Sequence, residues 1–404
     1  MAWYVGIDWA TAAHAVAVVG DDGTRHARWT VPHTGPELAK LVARLEVLAQ
    51  TDAVHLAIER PDGLLVRVLL TTGLPVHVIP PLAVTRYRDR WRSSRAKADG
   101  TDAEVLAHAL RTDLPRHPAL VPSSPAAQDL ARLVRDRQQA VALRTALLNQ
   151  LRAKLADYYP QALTVFPNLG QPITLAFLAA FPGPHTLAQA TEADWTAFLR
   201  QHRYPRARAS LLWQRLQAAA VLSVRDVSAS AGPGLRLLIG QLQTLAPSLR
   251  TLEAEIARVF QAHPDAPIFT SLPGAGPVLA AELLAGLGDA RDRYPTPEPL
   301  RGEAGTAPVT RQSGTWHTVH FRRACNRRLR HTFQQLARQS VLQSAWARAQ
   351  YTVHRARGHS ASRAARGLAD QWVRVIWRMW IDRTPYDEAT HLARWTARQA
   401  PKAA

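Results

Sequence analysis

The chain has 404 residues, enough for two or three domains, and its 50 basic against 31 acidic side chains give a net charge of +19 that favours a polyanionic partner. Nearly all of these bases are arginine, and a GC-rich coding sequence explains arginine in place of lysine but not the excess of bases over acids. The single cysteine, Cys325, excludes an internal disulfide, and no apolar run reaches the roughly 20 residues of a membrane span, so we expect a soluble cytoplasmic protein.

The first 110 residues predict strands and helices in the order βββαβαβα. Apolar side chains at intervals of three and four residues indicate the helices, and short apolar runs bounded by turn residues indicate the strands. The elements are strands at residues 3–8, 14–19 and 26–31, a helix at 35–50, a strand ending at Glu59, a helix closed by Gly73, a strand in LPVHVIP and a helix starting near Asp102. This is the ribonuclease-H arrangement, an α/β fold in which the fourth strand lies beside the first.

Carboxylates occupy related places on three of these elements. Asp8 ends the first strand and Glu59 ends the fourth, so the expected strand pairing brings them together. Asp99 and Asp102 can face one side of a helix start, although aspartate is also common there as a helix-capping residue. Four such carboxylates repel one another and stay ionised together only around cations. Their oxygens suit Mg²⁺ or Mn²⁺, and two ions about 3.5–4 Å apart would clamp a phosphodiester during in-line displacement.

The same opening also resembles that of sugar kinases and actin-like ATPases, in which a strand leads into a GIDxGT turn. Those sites need glycine in the turn so that the backbone can approach phosphates. Here Trp9 and Ala10 follow Asp8, and the next 200 residues contain no second glycine-rich phosphate loop. The kinase-like interpretation is therefore the weaker one.

The middle of the chain is predicted to be helical. A linker with four prolines in eleven residues precedes a long helix that begins near residue 127. Apolar residues recur every seven positions in this helix, but arginines interrupt the companion positions, so it fits either a helix packed within a helical domain or a coiled-coil dimerisation arm. The repeating apolar residues are Val134, Val141, Leu148 and Leu155, and the interrupting ones are Arg137 and Arg144.

The segment SLPGAGPVLAAELLA has the pattern of a helix–hairpin–helix. Gly274 and Gly276 would let backbone N–H groups meet a DNA phosphate at a helix start. A tight turn between two packed helices would need the same glycines. The residues alone leave both interpretations open.

Arginines dominate the segment that follows. The run HFRRACNRRLRHTF is expected to contact phosphate, although a solvated helix face would have a similar composition. Between this run and the glycine turn, Ser313 and Gly314 predict a turn, and the residues alone give this serine no further role. The candidate nucleic-acid-binding arginines are Arg311, Arg322, Arg323, Arg327 and Arg330.

Taken in order, these motifs resemble a known family. YVGIDWA, AIERPDG, KADGTDAEVLA, SLPGAGPVLAAELLA, GTAPVTRQSG and NRRLRHTF follow the order found in the DEDD transposases of insertion-sequence family 110, which are related to the Piv DNA invertase. The resemblance spans roughly residues 3 to 390, and the order and spacing of its short motifs make it specific. One departure is Cys325 before Asn326, where the family often has glycine. We expect it to change a local turn and not the chemistry.

The resemblance implies a RuvC-like N-terminal domain in which Asp8, Glu59, Asp99 and Asp102 form the metal-binding tetrad, with Mg²⁺ as cofactor and Mn²⁺ as a substitute. It also implies a serine nucleophile, which maps onto Ser313. The serine would attack the scissile phosphate and form a phosphoserine link to DNA, which a second strand's hydroxyl reseals without ATP. Arginines such as Arg311 could stabilise the developing phosphate charge.

The resemblance further implies partners and a cellular context. These are donor and target DNA, a structured bridge RNA encoded by the same element, and other copies of the chain in a dimer or tetramer with composite sites. A nucleoid-associated protein of a prokaryotic cytoplasm is the corresponding expectation, with no membrane partner.

Three classes of function compete on this sequence. A DNA recombinase needs both the tetrad and Ser313, whereas a RuvC-like nuclease or junction resolvase needs the tetrad alone and uses water as nucleophile. A DNA- or RNA-binding protein with a decayed site needs only the charge, and the presence of all four acids argues against it. The predicted domains are a RuvC-like catalytic domain at 1–113, a linker at 114–126, a helical or coiled-coil region at 127–264 and a helical transposase domain with the helix–hairpin–helix at 265–404.

Overall fold

The computed structural model describes residues 1–90, 99–166, 168–204, 209–218 and 228–399. The chain forms two compact units, an N-terminal unit at Met1–Ser123 and a C-terminal unit at Ser124–Ala404. In the described part of the chain, every helix is too short or too polar to span a lipid bilayer.

A mixed five-stranded sheet forms the centre of the N-terminal unit. Its strands are β1 (Ala2–Asp8), β2 (Ala13–Gly20), β3 (Arg25–Pro32), β4 (Ala53–Ile58) and β5 (Val76–Val78). They lie in the order β3-β2-β1-β4-β5, with β1 antiparallel to β2 and parallel to β4. The predicted pairing of the first and fourth strands is confirmed.

In the described part of the N-terminal unit, four helices cover the two faces of this sheet. They are α1 (Gly35–Ala49), α2 (Leu64–Leu70), α3 (Pro81–Asp89) and α4 (Asp99–Asp113). Leu41 of α1 and Leu65 of α2 share an apolar core with Val5 of β1, whereas Leu106 of α4 shares a second core with Tyr4. Strand β1 is therefore buried on both faces, which explains its continuous apolar sequence.

Three details differ from the sequence prediction. Helix α3 is not predicted, because Val84 is the only buried residue in its nine and the apolar period is lost. Helix α2 ends at Leu70, before the Gly73 that was expected to close it. Helix α4 begins at Asp99, not near Asp102, so both aspartates lie in its first turn.

Helix α4 packs on β1 at Gly6. A Cβ atom at Gly6 would overlap the backbone carbonyl oxygen of Ala103 and would lie 2.6 Å from the backbone nitrogen of Ala107. Ala103 and Ala107 are themselves fully buried. Only glycine on the strand and small residues on the helix allow this close approach, which fixes the start of α4 against the end of β1.

The described part of the C-terminal unit is helical except for one β-hairpin. Its helices are α5 (Pro125–Tyr158), α6 (Gln161–Val165), α7 (Pro172–Ala180), α8 (Pro184–Ala188), α9 (Glu192–Gln201), α10 (Ala209–Ala218), α11 (Ser228–Gln261), α12 (Ala266–Thr270), α13 (Pro277–Leu287), α14 (Pro297–Glu303), α15 (Arg327–Gln343), α16 (Ala345–Ala356), α17 (Ala361–Asp382) and α18 (Glu388–Gln399). The hairpin strands are β6 (Val309–Ser313) and β7 (Trp316–His320). A mixed sheet followed by a mostly helical remainder confirms this coarse level of the predicted fold class.

The long helices α5 and α11 pack side by side in opposite directions. Val134 near the start of α5 shares an apolar core with Ile256 near the end of α11. Leu151 near the end of α5 shares a second core with Leu238 near the start of α11. Apolar residues at both ends of α5, including Val134 of the repeat, are therefore covered by α11 of the same chain.

We predict that Gly6→Ala lowers the free energy of unfolding by about 3 kcal/mol, because the added methyl group overpacks the contact between β1 and α4. Urea unfolding measures this difference. Gly35→Ala is the matched control in the same unit, since a Cβ there would have no atom within 4 Å. Equal stability of the two variants would contradict the packing account.

Three buried histidines predict how the stability of the N-terminal unit depends on pH. His14, His77 and His108 are at most 8% exposed, and burial lowers the pKa of each. On unfolding, the pKa of each histidine returns to its ordinary value of about 6.5. Below that pH the unfolded chain therefore binds more protons than the folded chain. The free energy of unfolding should therefore fall between pH 7.5 and 5.5, and His77→Gln should reduce this slope. An unchanged slope in the variant would show that His77 does not contribute.

Candidate functional site

Two of the predicted acidic residues leave the sheet at the same edge. Asp8 is the last residue of β1, and Glu59 follows the last residue of β4. The parallel register pairs Ile7 with Ile58, so the two acids come next on strands about 4.8 Å apart. Both residues are partly exposed. The structure thus brings Asp8 and Glu59 together.

Asp102 lies in the first turn of α4, directly before the Ala103 that packs on Gly6. It is only 3% exposed. Its Oδ1 atom lies 2.8 Å from Nη2 of Arg88 on α3, but neither this oxygen nor Nε of Arg88 makes an aligned hydrogen bond within the described residues. The contact is an ion pair between two largely buried side chains.

Asp99 is the first residue of α4, but its side chain lies outside the described part of the structure. Among the described side chains, no group of three or more acids, histidines or cysteines is arranged to hold a metal ion. The complete tetrad therefore stays a prediction. Arg88 was missed by the sequence analysis, and the only signal for it is the run RYRDR.

The turn after Asp8 is held by aromatic side chains. The Ala10 N–H donates to Nδ1 of His14 over 3.3 Å, and Nε2 of His14 lies 2.8 Å from Nδ1 of His33. The Arg60 guanidinium lies 5.1 Å from the Trp9 ring centre. Burial, and then the neighbouring His33, lower the pKa of His14. This turn is built from packed rings and not from glycines that would admit a nucleotide phosphate.

Ser313 lies on the second unit, at the tip of the β6–β7 hairpin. It pairs across the strands with Trp316, and the turn between them consists of Gly314, with a φ of 55°, and Thr315. Glycine with positive φ suits the first position of a two-residue hairpin turn. Ser313 and Trp316 are both exposed. The predicted turn is present, but the strands on either side of it were not predicted.

The predicted arginines differ in what they contact. Arg322 donates from Nε to the Ala307 carbonyl over 3.1 Å, and Arg330 donates to the Arg322 carbonyl over 3.3 Å. These two side chains therefore hold the base of the hairpin. Arg323 and Arg327 are exposed to solvent, as is Arg311 on β6.

The glycine turn between α12 and α13 packs against α15 at Gly274, whereas Gly276 is exposed. The Gly274 N–H donates to Oε1 of Gln343 over 2.9 Å, and the Gly276 N–H donates to the Gly274 carbonyl over 3.2 Å. A Cβ at Gly274 would lie 2.8 Å from the backbone of Gln339. Both N–H groups donate within the chain, as a tight turn between packed helices requires. Contact of this turn with a DNA phosphate stays a prediction.

A groove of about 970 Å³ runs between α5, the start of α13 and α15. Arg137, which interrupts the apolar repeat of α5, lines this groove and binds Glu282 of α13 over 3.2 Å and Glu253 of α11 over 2.8 Å. Arg327, Arg328 and His331 of α15 also line it. The acids in the groove pair with Arg137, whereas Arg327 and Arg328 form no ion pair with any described residue. The groove therefore keeps a positive charge that suits a polyanion.

Comparison with known proteins identifies the family to which this chain belongs. A family model for DEDD transposases of the IS110 type matches residues 5–160, and a second, described as "Transposase IS116/IS110/IS902 family", matches residues 266–352. The first covers the acidic residues of the sheet, and the second covers the glycine turn, the hairpin and the basic helix α15.

Similar proteins span nearly the whole chain. One, named "Mini-circle putative transposase for IS117", from Streptomyces coelicolor, is 34% identical over 95% of this chain and 95% of its own length. The IS110 43.6 kDa protein of the same organism is 29% identical over 95% of both chains. The IS900 42 kDa protein of Mycobacterium paratuberculosis is 28% identical over 96% of this chain and 98% of its own. From these matches, the chain belongs to the IS110 family of transposases.

Proposed function

We propose that this DNA transposase cuts and rejoins DNA through a covalent phosphoserine intermediate, with Ser313 as nucleophile and a divalent-metal site at the edge of the sheet. Membership of the family supports the general activity, which is transposition of an insertion sequence. The observation that most supports the metal site is the β1–β4 register, because it sends Asp8 and Glu59 out of the same sheet edge.

The N-terminal unit suits such a site as a ribonuclease-H-like, RuvC-like fold. Its antiparallel β1–β2–β3 meander, its parallel β4 and β5, and the helix α4 over β1 correspond to that arrangement. In a RuvC-like fold, catalytic carboxylates are expected at the carboxyl ends of β1 and β4 and at the start of α4. All three positions are acidic in this chain.

The residues present fit a divalent cation. Asp8 and Glu59 are partly exposed acids at one sheet edge, Asp102 is a buried acid at the start of α4, and carboxylate oxygens are the preferred ligands of Mg²⁺ and Mn²⁺. Asp8, Glu59, Asp99 and Asp102 would hold the cation, which when bound would polarise the scissile phosphate. Arg88 places a positive charge beside Asp102 and so reduces the repulsion among these acids.

Ser313 is suited to attack because it is exposed at a hairpin tip. Its Oγ would form a bond to phosphorus while the bond from phosphorus to the leaving strand's oxygen breaks. The serine proton leaves, and the departing oxygen takes up a proton. A second strand's hydroxyl then reverses this exchange and releases the serine, so the number of phosphodiester bonds is conserved. Arg311, two residues before Ser313, would stabilise charge on the phosphate oxygens.

Nucleic-acid partners follow from the charge. The net charge of +19 and the basic groove along α15 support binding to donor and target DNA. We include a structured bridge RNA and a dimer or tetramer in the proposal, on the family resemblance. Arg323 and Arg327 are the predicted phosphate contacts that remain exposed.

Asp8→Asn should weaken Mn²⁺ binding about tenfold, because it removes a charged oxygen ligand from the proposed site. Electron paramagnetic resonance of free Mn²⁺ measures this without DNA. Glu37→Gln, on α1 of the same unit, removes an equal charge elsewhere and should leave Mn²⁺ binding unchanged. Wild-type affinity in Asp8→Asn would contradict the metal assignment.

Wild-type protein incubated with DNA carrying the element's ends, the element's RNA and Mg²⁺ should form a protein–DNA adduct that survives denaturation. Ser313→Ala should abolish this adduct because no oxygen remains to bond phosphorus. Thr310→Ala, an exposed hydroxyl lost from the same strand, should retain it. Continued cleavage by Ser313→Ala without any adduct would instead identify a nuclease that uses water.

A further inference from the structure

We infer that Trp316 stacks on a nucleobase beside the phosphodiester that Ser313 attacks, and so holds one nucleotide out of its helical stack. This inference rests on the proposed role of Ser313. It assigns a positioning function to a residue that the sequence analysis did not single out.

The hairpin register supports the first step. Ser313 and Trp316 are directly opposite on neighbouring strands, so their side chains project from the same face with Cβ atoms about 5 Å apart. Arg311 projects from that face too, since alternate residues of a strand share a face. A phosphate at the serine would therefore place its own nucleotide within reach of the indole ring.

The exposure of Trp316 supports the second step. Trp316 is 54% exposed, which leaves a large aromatic side chain in water. Nearby Phe321 is also exposed, but the guanidinium groups of Arg330 and Arg366 lie 4.8 and 5.3 Å from its ring centre. Within the described residues, no such ring or cation contact covers Trp316. Its flat face is open to an external partner.

The surrounding charge identifies the class of partner. The sequence has no aspartate or glutamate between Glu303 and Asp370, and this interval contains the whole hairpin and the basic helix α15. A segment with many bases and no acids of its own favours a polyanion over a typical protein surface. Nucleic acid combines negative phosphates with flat bases, and an aromatic side chain stacks on any of the four bases.

Stacking would also offset a cost of the reaction. Taking a base out of a duplex costs free energy, and stacking on an aromatic side chain returns part of that cost. An unstacked nucleotide leaves the neighbouring phosphate accessible from the side on which Ser313 lies. Trp316 would thus favour attack at that one position in the strand.

Photo-cross-linking tests the inference with the full-length chain and a single-stranded 20-nucleotide DNA of mixed sequence that carries one 5-iododeoxyuridine. Long-wavelength light links this base to an aromatic ring stacked on it, and peptide mapping identifies the ring. We expect Trp316 to carry the main cross-link. Trp316→Ala should lower the yield about fivefold or more, the equivalent of at least 1 kcal/mol of stacking, whereas Trp316→Phe should retain most of it.

Val319 provides the matched control, since it is 59% exposed on the same strand but projects from the opposite face. Val319→Ala should keep the cross-link at Trp316. Cross-links that map elsewhere, or an equal loss in both alanine variants, would overturn the inference. The measurement is repeated in Ser313→Ala, where the cross-link should persist. If the wild type forms no adduct but keeps the cross-link, the assignment of Ser313 as nucleophile fails and the stacking inference stands. If the wild type forms the adduct but no cross-link at Trp316, the stacking inference alone fails.

Discussion

The close packing of α4 on β1 is the constraint on which the candidate metal site depends. Gly6 has no side chain, so the backbone of Ala103 can lie directly against the strand. Because Asp102 precedes Ala103, the same contact brings a buried acid towards the edge where Asp8 ends its strand. The acids come from separate elements, so their proximity depends on tertiary packing. Under the proposed metal site, bound cations would offset the repulsion among these carboxylates beside the apolar core.

Part of this arrangement could be predicted from the sequence. The apolar runs that end at Asp8 and near Glu59 have a clear period and length, and the order of elements then decides which strands are neighbours. Arg88 could not be predicted in the same way, because α3 buries a single residue and so has no apolar period. The contact between Arg88 and Asp102 joins two helices whose packing is decided only in three dimensions.

The C-terminal unit shows the same limit for turns and hairpins. The sequence around Gly274 is equally consistent with a phosphate contact and with a packed turn. The hydrogen bond from Gly274 to Gln343 could not be predicted, because Gln343 lies 69 residues further along the chain. The β6–β7 hairpin was missed because nearly all of its side chains are exposed on both faces, so its sequence lacks the alternation that marks a half-buried strand. Under the proposed function, this exposure would let Ser313 reach a substrate.

The account's central claim is a divalent-metal site built from β1, β4 and α4, and iron-dependent cleavage tests it most directly. With Fe²⁺, ascorbate and peroxide in place of Mg²⁺, a bound ion generates hydroxyl radicals that cut the nearest backbone. The account predicts cuts next to Asp8, next to Glu59 and between Asp99 and Asp102, all suppressed by excess Mg²⁺. Cuts confined to other parts of the chain, or no cuts that Mg²⁺ suppresses, would contradict it.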